Sequence, residues 1–108
     1  MIFFNVPEAR EELISKGLVY TLRSSFRGTG ETIAVVGSMS SYKRLGSNKR
    51  LGRVIVSRIK KINHPDDLYP YLHHSGFSTV DTWLAKASSS ARTLYKVEMK
   101  DKIVKGGG

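Results

Sequence analysis

No cysteine occurs anywhere in the chain, and this one absence excludes disulfide frameworks, thiolate zinc sites, iron–sulfur clusters and cysteine nucleophiles together. Any chemistry must come from oxygen, imidazole or amine groups. Long hydrophobic runs are missing too. No apolar stretch approaches the ~18 residues that span a bilayer, and Met1-Ile2-Phe3-Phe4 is too short, and too soon followed by Pro7 and acids, for a secretory signal. A cytoplasmic location is expected. With 108 residues, 40% of them hydrophobic, the chain can build one modest core but not two.

Negative charge is the other scarcity. Between Leu13 and Asn63 the only acid is Glu31, while Lys16, Arg23, Arg27, Lys43, Arg44, Lys49, Arg50, Arg53, Arg58, Lys60 and Lys61 all fall there. The whole chain carries 18 Lys+Arg against 9 Asp+Glu, a net charge of +9. Such a surface attracts phosphate backbones through counterion release whatever the fold. The acids lie mostly near Glu8, Glu11 and Glu12 and at Asp66, Asp67 and Asp81, so the charge distribution is lopsided. A nucleic acid, RNA first, is the expected class of partner. No membrane is expected as a partner, and a monomer is favoured.

The pattern along the chain predicts eight elements. Ile2–Asn5 is a short apolar edge or closing strand. A helix follows, with Asn5 and Glu8 as a capping box, Pro7 in the first turn and Gly17 as the C-terminal cap; Ala9, Leu13 and Ile14 form its stripe, and Arg10, Glu11 and Glu12 face water. Leu18–Ser24 reads as a strand with Tyr20 and Leu22 on one face and Val19, Thr21 and Arg23 on the other. Gly28-Thr29-Gly30 is a turn before a strand over Thr32–Val36. The stretch from Gly37 to Gly52, with four serines and two each of lysine and arginine, reads as a long loop.

Arg53–Ile62 is a long strand with Val54 and Val56 on one face and Ile55 and Ile59 on the other, as a strand bending around a small barrel requires. The mixed segment from His64 to Ser75 has a helix start at Asp66 and Asp67 and ends at Gly76. Ser78 with Asp81 caps another helix carrying Val80, Trp83, Leu84 and Ala87, and a last strand spans Thr93–Lys100 with Tyr95, Val97 and Met99 on one face. The order favours an α+β fold, a small, mostly antiparallel β-barrel flanked by short helices. It is read as one domain over residues 1–100 with a flexible tail at 101–108.

Lys16-Gly17-Leu18-Val19-Tyr20-Thr21-Leu22-Arg23, Leu51-Gly52-Arg53-Val54-Ile55-Val56, Ser75-Gly76-Phe77-Ser78 with Trp83-Leu84, and Leu94-Tyr95-Lys96-Val97-Glu98 occur in this order. Together they resemble the ASCH domains of the PUA-like superfamily, small archaeal-type members above all. The resemblance covers nearly the whole chain. It implies a small barrel with a cleft between the first helix, the following strand and the long basic strand, and RNA or another nucleic-acid component as ligand. The family's Thr-x-Arg matches Thr21-Leu22-Arg23, so that hydroxyl and guanidinium face one ligand.

Some family members resemble an amidohydrolase acting on a modified cytidine, and Thr21 would then be the catalytic group. At the position of the family's lysine this chain has Leu18, or Val19 in the neighbouring register, and neither can take a proton from a threonine. An RNA-binding module is therefore preferred to a hydrolase.

Lys16, Arg27, Tyr42, Lys43, Arg44, Lys49, Arg50, Arg53, Arg58 and Lys60 complete the nucleic-acid-binding set. Tyr42 is placed to stack on a base and the cations to hold phosphates. His73 and His74 are adjacent, about 100° apart on a helix, and lack metal-ligand spacing. No metal and no cofactor are expected. The terminal Lys105-Gly106-Gly107-Gly108 raises a third reading, a ubiquitin-like carrier, which the order of elements disfavours.

Overall fold

In the computed structural model the described residues are 1–24, 28–38, 49–87 and 89–102. Along the chain they form β1 (Ile2–Phe4), α1 (Pro7–Lys16), β2 (Leu18–Arg23), β3 (Gly30–Val36), β4 (Arg50–Lys61), a 3₁₀ helix η1 (Pro65–His74), α2 (Val80–Lys86) and β5 (Thr93–Lys102). The five strands make one curled, half-barrel sheet in the order β1-β3-β4-β5-β2. Only the β1–β3 pairing is parallel; β3–β4, β4–β5 and β2–β5 are antiparallel. The α+β class and the element order agree with the sequence pattern.

Period-two alternation in β2 serves two cores at once. Val19, with Val54, Val56, Tyr95 and Val97, lies in a concave core closed by Ile2, Phe4 and the α1 residues Ala9 and Leu13. Leu22, with Leu94 and Ile62, faces a second core on the convex side, covered by Leu68 of η1 and by Val80 and Trp83 of α2. Burying aromatic and branched side chains on both faces of one sheet removes roughly 1.5–3 kcal/mol of unfavourable hydration per large residue. The two-sided apolar character read from β4 is present. Val54 and Val56 point into the first core, Ile59 packs against the second, and Ile55 is 39% exposed. The ladder with β5 shifts register between Arg53 and Val54 and between Arg58 and Lys60.

Several boundaries move. Pro7 at the first helical position fixes the helix start there, so the N-cap is Val6, with no side-chain cap, and Asn5 stands one residue too early for its expected capping box. Gly17 takes the left-handed C-cap as expected (φ 75°), its N–H donating to the Leu13 carbonyl at 2.9 Å. Glu12, expected in water, is buried: its carboxylate meets His74 Nδ1 at 3.2 Å and Lys16 Nζ at 3.4 Å. In η1, Pro70 cannot join an α-helical ladder because its ring meets the carbonyl four residues back. The whole segment winds as a 3₁₀ helix opened by a His64–Asp67 capping box. Thr79, not Ser78, caps α2, its hydroxyl accepting from the Thr82 N–H at 3.1 Å. Asp101 and Lys102 continue β5 beyond the strand end expected at Lys100.

Candidate functional site

The two edge strands of the half-barrel, β1 and β2, meet at a seam made by a side chain. Arg23 Nη1 donates to the Phe3 carbonyl at 2.6 Å, and its guanidinium carbon lies 4.9 Å from the centroid of the Phe4 ring. The guanidinium therefore combines a charge-assisted hydrogen bond with a cation–π contact, two interactions that lysine would not reproduce in this geometry.

Beside this seam opens a cleft of about 290 Å³. Asn5, Val6 and Ala9 line it from the start of α1, Thr21, Arg23 and Ser24 from β2, and Gly37 and Ser38 from the end of β3. Lys86 and Ala87 at the end of α2 and Ala91 before β5 complete it. A recess of about 40 Å³ adjoins it, sharing Thr21 and Lys86 and reaching Phe77 and Trp83. Thr21 is 7% exposed, and its hydroxyl has no hydrogen-bond partner among the described residues. The cleft thus has an apolar floor and a few convergent polar groups, the usual make-up of a ligand site, at the small end of the ~300–1,000 Å³ range.

The expected site residues divide into four groups. Thr21 and Arg23 share the cleft, as strand alternation requires, with Arg23 also serving as the seam clamp. Arg27, Tyr42, Lys43 and Arg44 lie outside the described residues.

Lys49 and Arg50 are exposed at the cleft end of the sheet. The Lys49 carbonyl accepts from the Val36 N–H at 2.8 Å, and Val36 pairs with Phe4 of the seam. At the other end of β4, Arg58, Lys60 and Lys61 are exposed where the strand has run past β3, which begins opposite Val56. Thr93 of β5 lies between Lys61 and Arg23 in the ladder. Both ends of β4 therefore sit two interstrand spacings, about 10 Å, from seam residues.

Lys16 and Arg53 are not part of this arrangement. Lys16 lies seven residues, about 10 Å of helix rise, beyond Ala9 and is paired with Glu12. Arg53 is on the outer face of the sheet, where its guanidinium meets the Asp101 carboxylate, through Nε at 3.1 Å and through Nη2, and lies 3.6 Å from Glu31. Lys100 completes the network with a 2.6 Å bond to Glu31. The bond to Lys100, then the charges of Lys100 and Arg53, hold the Glu31 carboxyl below its ordinary range, and Asp101 raises Arg53 further.

Lys49, Arg50, Arg58, Lys60, Lys61 and Lys86, by contrast, have no acidic partner among the described residues.

Lys86 is the residue that the sequence pattern did not single out. Its one signal is position: three residues after Trp83, it borders the apolar stripe of α2 where that helix ends. The two positions matching the family's lysine supply no base. Leu18 is an odd number of residues from Thr21 and so projects from the other face of β2, whereas Val19 shares the face of Thr21 and is fully buried. The chain matches no family model, and no match appears among curated proteins or solved structures.

Proposed function

We propose that this domain binds RNA, taking part of a nucleotide into the cleft beside the Arg23 seam and holding flanking phosphates with the unpaired cations around it. The observation that carries this reading is the sorting of charge. Acids on the outer sheet face neutralise Arg53, Lys96 and Lys100, while the cations at both ends of β4 and at Lys86 have no acidic partner among the described residues. Cations of that kind bind phosphate with release of counterions. The resemblance to ASCH domains of the PUA-like superfamily supports the same reading, because it implies a cleft bordered by the first helix, β2 and the basic strand.

The hydrolase reading has less support, since a threonine nucleophile requires a neighbouring base and both matching positions are aliphatic. For the carrier reading, Lys105 to Gly108 lie outside the described residues.

A fluorescence titration with a labelled single-stranded RNA of mixed sequence, repeated from about 50 to 300 mM salt, tests the proposal. Binding should weaken steadily with salt, and log Kd should rise linearly with log salt. Lys86→Ala should weaken binding severalfold without loss of stability, because Lys86 is exposed and has no acidic partner among the described residues. Absence of binding at low salt, or affinity indifferent to salt, would rule the reading out.

A further inference from the structure

Resting on the RNA-binding reading, we infer that the ligand is a single strand laid across the seam, and that the Thr21 hydroxyl distinguishes RNA from DNA by hydrogen-bonding a ribose 2′-hydroxyl. Three features of the molecule converge on this.

The first is the size and position of the cleft. Its ~290 Å³ lie between the start of α1, β2 and the end of α2, room for part of one nucleotide. A paired nucleotide would have to leave its helix to reach it, whereas an unpaired one is already exposed.

The second is the placement of the cations. Lys49 and Arg50 lie on the Phe4 side of the seam, and Lys60 and Lys61 on the Arg23 side, each about two interstrand spacings away. A strand crossing the cleft therefore meets positive charge before and after it, the groove-tracking arrangement typical of single-strand binders. A site of this extent holds about four to six nucleotides, within the range of small barrel domains.

The third is Thr21 itself. Thr21 lines both the cleft and the recess and is 7% exposed, and its hydroxyl has no hydrogen-bond partner among the described residues. A hydroxyl is both donor and acceptor, as is the ribose 2′-hydroxyl, which is the group that lets a protein tell RNA from DNA at one position.

The test is a comparison of Thr21→Val, Thr21→Ser and the parent protein against four labelled probes of one sequence: single-stranded RNA eight nucleotides long, the same strand as DNA, the RNA duplex, and a series of RNA lengths from two to twelve. Valine matches threonine in shape and suits the strand, and thermal melting confirms that each variant is folded. The parent should prefer single-stranded RNA to the duplex by at least tenfold, with little gain in affinity beyond about six nucleotides. Thr21→Val should weaken RNA binding about five- to tenfold and leave DNA binding unchanged, the effect of one lost neutral hydrogen bond. Thr21→Ser should retain most of the preference for RNA.

Equal affinity for duplex and single strand, or equal effects of Thr21→Val on RNA and DNA, would overturn the inference while leaving RNA binding intact. Failure of every probe to bind with salt dependence would overturn the underlying reading as well.

Discussion

Gly76 brings the segment after η1 up against α1. Its φ of +87° lies in the left-handed region, and a Cβ added there would stand 2.2 Å from the Glu8 carbonyl oxygen and 2.6 Å from its carbon. Both neighbours are backbone atoms of the first turn of α1, the turn that lines the cleft, so they cannot swing aside as a side chain would. Gly76→Ala should therefore lower stability by on the order of 3 kcal/mol or more, combining backbone strain with a contact that only a shift of α1 can relieve. Gly30, at φ +106° with nothing within 4 Å, provides the comparison: Gly30→Ala should carry only the strain, roughly 1–2 kcal/mol. Chemical denaturation of both variants checks this, and equal losses would mean that the close approach to Glu8 contributes nothing.

Thr21 and Arg23 show what is legible at this scale. Alternation along β2 places both side chains on one face. It does not reveal that Phe3, twenty residues earlier in the chain, takes a hydrogen bond from the guanidinium, because that contact exists only once the sheet has curled and its two edges have met.

Among the elements, β4 carries the most consequence. Strand order places Arg50 two strands from β1 and Lys61 two strands from β2, and the curl of the sheet brings those two edges together at the seam. The β-branched pattern makes the strand readable from sequence. The two register shifts are not, since a bulge depends on how β3 and β5 are offset against it. Helix starts are ambiguous for a similar reason. At α1 the capping pattern at Asn5 competes with the fixed φ of Pro7, and at α2 Ser78 and Thr79 are near-equivalent caps that packing must choose between.

On the outer face of β4 the Glu31–Arg53–Lys100–Asp101 network has a predictable pH signature. The folded state depresses the Glu31 carboxyl below its ordinary value of 4.5, first through the Lys100 hydrogen bond. Its stabilising contribution is therefore present above the unfolded value and is lost as pH falls through the lower folded value. The stability difference between the parent and Glu31→Gln should be constant above about pH 5 and shrink at lower pH. Because these groups are exposed, added salt should shrink the difference at every pH. Melting curves across pH and salt measure it, and a difference that grew on acidification would reverse the assignment.

For the whole molecule the surplus of nine positive charges matters less than where the nine acids lie. If net charge alone governed nucleic-acid binding, removing any two cations would weaken it equally. The structure separates two pairs that bulk charge cannot distinguish. Lys49 and Arg50, near the cleft, have no acidic partner among the described residues, whereas Arg53 and Lys100 are engaged with Glu31 and Asp101 on the outer face. Each phosphate contact on a single strand contributes about 0.7 to the slope of log affinity against log salt. The double variant Lys49→Ala with Arg50→Ala should therefore lose up to about 1.4 from that slope and weaken RNA of every sequence alike. Arg53→Ala with Lys100→Ala, which removes the same charge, should leave the slope unchanged. Parallel titrations of the two variants decide the matter: equal losses would mean that the basic surface acts as an undivided field, and the cleft would then have no privileged part in holding the strand.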